Sequence, residues 1–174
     1  MPACFFYASL HFLVTPAVMI WLYRAHPGDY RPARAILALT TTGALLGFWL
    51  CPTAPPRLLA ASGYHAGFQD TMAHYSSWGW WPAQDSAPRG LASLANQFAA
   101  MPSLHFAWAL WCGVTLIRYA TTPLLRRLGT VYPLLTALVI LGTANHYLLD
   151  VLAAALLWLV ADRAPRRLAQ RATA

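Results

Sequence analysis

The sequence predicts an all-α, polytopic integral membrane protein, and two observations carry this prediction: a highly apolar composition and five separate apolar stretches. Of the 174 residues, 59% are apolar and only 10% are charged. A soluble domain typically has about 25% charged residues, so this composition is better suited to lipid than to water. We interpret the five stretches as five transmembrane helices of one membrane-embedded domain, residues 1–174.

The predicted spans differ in length along the chain. They lie at approximately Ala3–Tyr23, Ala35–Cys51, Ser103–Tyr119, Thr130–Ala144 and Leu148–Val160. A helix that crosses a bilayer needs about 20 residues, with a range of roughly 17 to 25, so the last two stretches must recruit flanking residues. Proline and glycine residues mark the first and third connections between the spans. The second connection is a long loop, Pro52–Met101.

All twelve basic residues are arginines, and ten of them form three groups. The groups are Arg24, Arg31 and Arg34; Arg118, Arg126 and Arg127; and Arg163, Arg166, Arg167 and Arg171. They flank alternate ends of successive spans, as cytoplasmic loops do under the positive-inside rule. We therefore interpret the net charge of +7 as a topology signal, with no nucleic-acid partner. The protein is expected in the cell membrane, with its long loop on the extracytoplasmic side.

The beginning of the chain and the cysteines carry two further expectations. Five spans place the N-terminus outside, yet Met1–Ala3 offers neither the charged region nor the cleavage site of a signal peptide. We therefore expect that an N-terminal helix is missing. Cys4, Cys51 and Cys112 are isolated in or beside apolar spans, so we interpret them as packing residues and not as a disulfide framework.

Chemistry is first indicated by His146 and Asp150, which stand four residues apart at the start of the fifth span. This spacing places both side chains on one face of a helix. A carboxylate that accepts from Nδ1–H leaves Nε2 with a free lone pair and stabilises the ring once it is positive, as a nucleophilic histidine requires. For an isolated H-x-x-x-D motif, the more frequent alternative is a polar pair that ties helix ends together.

Two more motifs are predicted to reach the same face. Pro102-Ser103-Leu104-His105 opens the third span, where free backbone N–H groups and the serine hydroxyl favour an anion, and His105 could protonate a departing alkoxide. Arg57 can bind two oxygens of one phosphate. Taken singly, these residues have plain alternatives, an interfacial histidine and a snorkelling arginine. Together the motifs supply charge neutralisation, a nucleophile, an orienting group and a general acid, the set that phosphoryl transfer needs.

The three motifs resemble the type 2 phosphatidic acid phosphatase superfamily of lipid phosphate phosphatases and phosphotransferases. The motifs are Ala54-Pro55-Pro56-Arg57, Pro102-Ser103-Leu104-His105 and His146-Tyr147-Leu148-Leu149-Asp150, against a family pattern of K-x6-R-P, P-S-G-H and S-R-x5-H-x3-D. The resemblance implies a core of usually six helices and a membrane lipid phosphate as substrate. It also implies that Arg57 and Ser103 bind phosphate and that His105 is the general acid. By it, His146 is phosphorylated in the intermediate with Asp150 as its partner, without a cofactor or metal.

Three departures from the family pattern bear on the substrate. Leu104 replaces a glycine, Leu50 stands where a lysine is expected, and Ile140 stands where an arginine is expected, although Arg89 could replace one missing cation. The remaining set looks more like the branch with the inositol phosphorylceramide synthases, which handle phosphodiesters. A phosphodiester carries one negative charge and a monoester nearly two. Hydrolysis of lipid phosphate and transfer of a head group such as phosphoinositol to an alcohol such as inositol both stay open.

The long loop is the expected source of acceptor specificity, because loops on a rigid scaffold usually carry recognition. We interpret Trp78, Trp80 and Trp81 as interfacial anchors and residues 90–100 as a short surface helix. Polar contacts to a head group are expected from Asn96, Gln97 and Asn145.

Two other functional classes are weighed against a metal-independent lipid enzyme. His105, His146 and Asp150 could form a three-ligand zinc site, but the sequence has no H-E-x-x-H motif and Arg57 would repel a cation. The other class is a catalytically silent membrane scaffold of the same fold. Activity that survives a chelator would reject zinc, and phosphate trapped on His146 would reject the scaffold.

Overall fold

The computed structural model describes residues 1–60, 67–81 and 96–172, without the side chains of residues 60 and 165–172. Its helices in chain order are α1 (Pro2–Ala25), α2 (Pro27–Leu50), α3 (Thr71–His74), α4 (Leu104–Tyr119), α5 (Pro123–Gly142) and α6 (Leu148–Ala172). Two 3-10 turns, Pro56–Ala60 and Ser76–Trp78, flank α3 in the long loop. The described residues contain no strand, so the all-α prediction is confirmed.

Each long helix lies over one predicted span, and the two short spans do recruit flanking residues. α5 begins seven residues before the predicted Thr130 and reaches 20 residues, and α6 reaches 25. Within the described ranges, α1, α2 and α5 are long and apolar enough to cross a membrane. α4 has only 16 residues, but it contacts all four other long helices and forms the centre of the bundle.

Proline and hydroxyl residues set the helix boundaries. A proline occupies the first turn of α1, α2 and α5, where its missing N–H would have no partner in any case. The Ser103 hydroxyl accepts from the Phe106 N–H at 3.3 Å and caps α4. Thr122 caps α5 in the same way through the Leu125 N–H at 3.4 Å.

Helices α4 and α5 approach each other closely at two glycines. A Cβ on Gly113 would lie 2.3 Å from the Gly129 carbonyl oxygen, and a Cβ on Gly129 would lie 2.7 Å from the Gly113 carbonyl oxygen. Such contact between small residues is typical of helix packing in membranes, where no hydrophobic force between helices exists and van der Waals contact decides.

The long loop folds back onto the bundle, which corrects one prediction and limits another. Trp81 is fully buried against Phe5 of α1 and donates from its indole to the Met72 carbonyl at 2.9 Å, so its interpretation as an interfacial anchor is wrong. Trp78 and Trp80 are exposed. Of the surface helix predicted at 90–100, residues 90–95 lie outside the described residues and 96–100 are not helical.

A short backbone clip closes the base of this loop. The Thr53 N–H donates to the Phe98 carbonyl at 2.7 Å, and the Ala100 N–H donates to the Thr53 carbonyl at 3.1 Å. These bonds form an isolated β-bridge between Thr53 and Ala99. The last residues before α4 are thereby held against the first residues after α2.

The two ends of the bundle differ in charge. At one end, called the site end, the start of α4 meets the start of α6, where the Ser103 N–H donates to the Asp150 carbonyl at 3.2 Å. At the other end, called the arginine-rich end, Arg118 of α4 forms a two-pronged ion pair with Asp162 of α6. The arginines of the three groups whose side chains are described lie on helix segments near that end: Arg24, Arg31, Arg34, Arg118, Arg126, Arg127 and Arg163.

Candidate active site

Five of the eight predicted site residues line one cleft at the site end. The cleft encloses about 270 Å³, its open mouth included. Its predicted members are Arg57, Asn96, Gln97, Asn145 and His146, and Tyr7 and Ala100 are among its other lining residues. The helix ends and the loop therefore bring the arginine and one histidine to the same space. Ser103, His105 and Asp150 lie beside this cleft without lining it.

The ring of His146 is held in one orientation by two acceptors. Its Nδ1 lies 2.9 Å from the Ala100 carbonyl oxygen and 3.4 Å from an Asp150 carboxylate oxygen. A carbonyl can only accept, so Nδ1 carries the proton and Nε2 keeps its lone pair. Nε2 is buried and has no hydrogen-bond partner in the described part of the chain. This is the protonation pattern that a nucleophilic histidine needs.

Asp150 connects three elements, although it is not the nearest acceptor to His146. The carboxylate accepts from the Tyr147 N–H at 2.8 Å, which caps the first turn of α6, and its backbone carbonyl accepts from Ser103. The side chain is only 1% exposed. The sequence left open that Asp150 only ties helix ends together. In the structure Asp150 does tie the start of α6 to the start of α4, and its carboxylate also lies near the His146 ring.

Arg57 is buried and already paired. Its guanidinium is 2% exposed, which excludes the snorkelling alternative, and Nη1 lies 3.0 Å from a carboxylate oxygen of Asp70. Its Nε is buried without a partner among the described residues. The backbone N–H of Arg57 donates to the Ala144 carbonyl at 2.8 Å, so the loop is fixed to the end of α5.

His105 lies next to the cleft, in a smaller adjoining cavity. Its ring centroid is 5.8 Å from that of His146, close enough for both rings to contact one phosphate group. Tyr7 lines both spaces. Ser103 is fully buried, and its hydroxyl oxygen caps α4. Its predicted contact with phosphate stays a prediction.

Four residues of the site were missed by sequence reasoning. Tyr7 of α1 stacks on His105 at 4.2 Å between ring centroids, and His11 of the same helix contacts the His105 ring edge-on at 4.3 Å. Their four-residue spacing within an apolar span was an available signal. Asp70 is one of five acidic residues in the chain, which was a weaker one. The carbonyl of Ala100 had no signal, because every residue has a carbonyl.

The described residues contain no group of three or more histidine, cysteine, aspartate or glutamate side chains that could hold a metal ion. This finding does not favour the zinc alternative. All three cysteines are free, with Cys4 and Cys112 buried and Cys51 exposed. Arg89, the other loop arginine, lies outside the described residues.

The fold and the cleft together define a class: a multi-pass helical membrane protein with an arginine and two histidines at one end of its bundle. A family model described as the PAP2 superfamily matches residues 1–163. The chain therefore belongs to the type 2 phosphatidic acid phosphatase (PAP2) superfamily, whose members are phosphatases and phosphotransferases. No curated protein and no solved structure matches the chain. The narrower resemblance to the inositol phosphorylceramide synthases stays a prediction.

Proposed function

We propose that this protein transfers the phosphoryl group of a membrane lipid phosphate ester through a phosphohistidine formed on His146. One observation carries the proposal: the Nε2 lone pair of His146 is buried beside the cleft without a partner among the described residues, while Nδ1 is held by Ala100 and Asp150. A buried polar atom without a partner is costly. An electrophile such as a phosphorus atom would satisfy it.

The first half of the proposed reaction forms the intermediate. Nε2 of His146 attacks phosphorus, the N–P bond forms, and the ester P–O bond breaks. The departing alkoxide takes a proton from His105, whose ring centroid is 5.8 Å from that of His146. Asp150, 3.4 Å from Nδ1, stabilises the positive ring. Arg57 faces the same cleft and stabilises the phosphoryl oxygens.

The second half returns the enzyme to its starting state. Water or an alcohol attacks phosphorus and gives its proton to His105, and the N–P bond breaks. His146 thereby regains its lone pair and His105 its proton. The acceptor decides between hydrolysis and transfer, and Asn96 and Gln97, which line the cleft from the loop, are positioned to contact it.

The pairing of Arg57 favours a phosphodiester substrate, and with it transfer of a phospho-head group. Within the described residues Arg57 is the only arginine that lines the cleft, and Asp70 already offsets its charge. A monoester would bring nearly two negative charges to this single paired cation, whereas a phosphodiester brings one. Transfer of a group such as phosphoinositol to an alcohol is therefore the candidate reaction that the charges suit better than hydrolysis.

The cleft is proposed to open on the extracytoplasmic side. The arginine groups lie at the opposite end of the bundle, and arginine-rich loops face the cytoplasm in membrane proteins. A lipid could then reach the cleft sideways while its chains stay in the bilayer.

The decisive experiment traps the intermediate. Purified protein is incubated with phosphate-labelled phosphatidate or phosphatidylinositol, with and without inositol or a lipid alcohol as acceptor, and the label on protein, free phosphate, inositol phosphates and new lipid is measured. We expect acid-labile label on the wild type. We expect none on His146→Ala, whose turnover falls by roughly 10³-fold or more. His74→Ala, a change at an exposed loop histidine, is the matched control.

Each alternative class predicts a different result. Undiminished turnover in His146→Ala would defeat the proposed nucleophile, and the absence of both label and product with every lipid would favour the silent scaffold. Loss of activity on adding a chelator, with recovery on adding zinc, would favour the metal-dependent hydrolase.

A further inference from the structure

A second cavity, larger than the cleft, lies at the arginine-rich end between α2, α4 and α6. It encloses about 800 Å³, its mouth included, and is walled by apolar groups such as Ile36, Trp111 and Val114. Arg118, at its rim, lies thirteen residues after His105 on α4, which at 1.5 Å per residue is about 20 Å along the helix axis. The cavity is therefore separate from the candidate active site.

One residue in the wall of this cavity carries a hydrogen-bond donor that nothing in the described chain satisfies. Trp158 lines the cavity and is 6% exposed, and its indole N–H is buried with no acceptor among the described residues. Trp111, which lines the same cavity, donates to the Ala33 carbonyl at 2.9 Å. A buried donor without an acceptor costs free energy, so an acceptor carried by a ligand would bind there favourably.

The cavity lies at the arginine-rich end of the bundle, where the described arginines outnumber the aspartates. The Arg118 guanidinium and the Asp162 carboxylate pair at 2.6 and 3.0 Å and offset each other. Arg34 and Arg163 are exposed, and each directly follows a lining residue, Ala33 and Asp162 respectively. An apolar space at the positively charged end of the bundle suits an amphiphile with an apolar chain and a negative head group.

We propose that this cavity binds an intact anionic glycerophospholipid of the surrounding membrane. An acyl chain lies between α2, α4 and α6, an ester carbonyl accepts from the Trp158 indole, and the phosphate lies near Arg34 and Arg163. This lipid is a bound component and not the reacting substrate, because its place is remote from His146. The inference does not depend on the proposed function.

The test measures lipid retention by the purified full chain. Protein in detergent is loaded with phosphatidylglycerol or with phosphatidylcholine of the same acyl chains, and bound lipid is counted by native mass spectrometry. We expect a preference of roughly tenfold for phosphatidylglycerol. Trp158→Phe keeps the ring but removes the N–H, and should weaken binding roughly fivefold, the effect of one lost hydrogen bond. Trp49→Phe, an exposed tryptophan near the site end of α2, should change nothing.

Two further variants keep the test decisive if Trp158→Phe does not fold. Thr115→Leu adds volume to the cavity wall and should reduce retention of both lipids. The pair Arg34→Gln and Arg163→Gln should lower the preference for phosphatidylglycerol, whereas Arg126→Gln with Arg127→Gln, on α5, which does not line the cavity, should not. Equal retention of the two lipids by the wild type would overturn the proposal. So would full displacement of phosphatidylglycerol by inorganic phosphate, or equal losses in Trp158→Phe and Trp49→Phe.

Discussion

Two acceptors share one ring nitrogen of His146, and they act at different stages of the proposed reaction. The Ala100 carbonyl, at 2.9 Å, is the nearer, and it is enough by itself to hold the proton on Nδ1. The Asp150 carboxylate, at 3.4 Å, carries the charge that a positive ring would need. Tautomer and charge stabilisation are thus assigned to separate groups.

This separation predicts the behaviour of Asp150→Asn. The Ala100 carbonyl should still fix the tautomer, and the asparagine oxygen can still cap α6, so the loss is confined to stabilisation of the positive ring. We expect phosphohistidine formation to slow by roughly 10²-fold, less than in His146→Ala, with unchanged helical content. Single-turnover labelling of the protein measures the rate.

An outcome as severe as that of His146→Ala would contradict this assignment. It would mean that Asp150, and not Ala100, controls the state of the ring. Asp29→Asn, a change on α2 near the arginine-rich end, serves as the matched control and should leave the rate unchanged.

At the scale of elements, the turn that follows α5 positions Asn145 and Arg57, which both line the cleft. The Asn145 N–H bonds to the Ile140 carbonyl at 3.0 Å, and the Ala144 N–H bonds to the Leu141 carbonyl at 3.0 Å. This is the Schellman pattern, which usually has glycine where Ala144 adopts a φ of 55°. The strained residue also offers its carbonyl to Arg57, so backbone strain stands beside the site, as it often does.

The α4–α5 interface is sensitive to side-chain volume because backbone faces backbone there. In Gly113→Ala the new Cβ would lie 2.3 Å from the Gly129 carbonyl oxygen, so the two helices must move apart. We expect a loss of roughly 1 to 3 kcal/mol in the free energy of unfolding, the usual effect of overpacking. Thermal unfolding in detergent, followed by circular dichroism, measures it.

The control for this prediction lies on the same helix pair. A Cβ on Gly142 of α5 would have no heavy atom within 4 Å. Gly142→Ala should therefore leave the midpoint of thermal unfolding unchanged or raise it. Equal midpoints for the two alanine variants would show that the glycine contact does not limit the packing.

At the scale of the whole molecule, the charges of the bundle predict its orientation. The exposed Cys51 ends α2 at the site end, whereas Cys4 and Cys112 are buried. In intact cells, a membrane-impermeant maleimide should label Cys51 from outside. An Arg127→Cys variant in a Cys51→Ser background should react only after permeabilisation. The reverse pattern would place the cleft in the cytoplasm.

Much of the fold was predictable because lipid imposes strong rules on a sequence. A chain that crosses a bilayer must form its backbone hydrogen bonds internally, which helices do. Each apolar stretch was therefore expected to be helical, and each is. Boundaries were less predictable, since the start of α5 depends on Thr122 and Pro123, beyond the apolar stretch. Trp81 was misread because its burial depends on the loop folding against α1, a tertiary contact without local signature.

The candidate site was predictable where motifs carry the chemistry. Arg57, His105, His146 and Asp150 were expected at one face. Arg57 and His146 line one cleft, His105 and Asp150 lie beside it, and the roles of all four stay predictions. The partners were not predictable in the same way. Asp70 and Tyr7 reach the site through long-range packing, and the Ala100 contribution comes from the backbone.

The backbone clip at the base of the long loop fixes the position of the Ala100 carbonyl, which orients His146. Both ends of the loop are pinned by the Thr53 bonds to Phe98 and Ala100, so the carbonyl that orients His146 does not depend on what lies between. Lengthening a flexible loop is cheap, about 0.6 kcal/mol for each doubling. Within the segment between the pins, Arg57 and Asp70 must keep their places because they form the ion pair of the cleft. Substitutions at other loop positions can retune acceptor choice across generations while the nucleophile keeps its alignment.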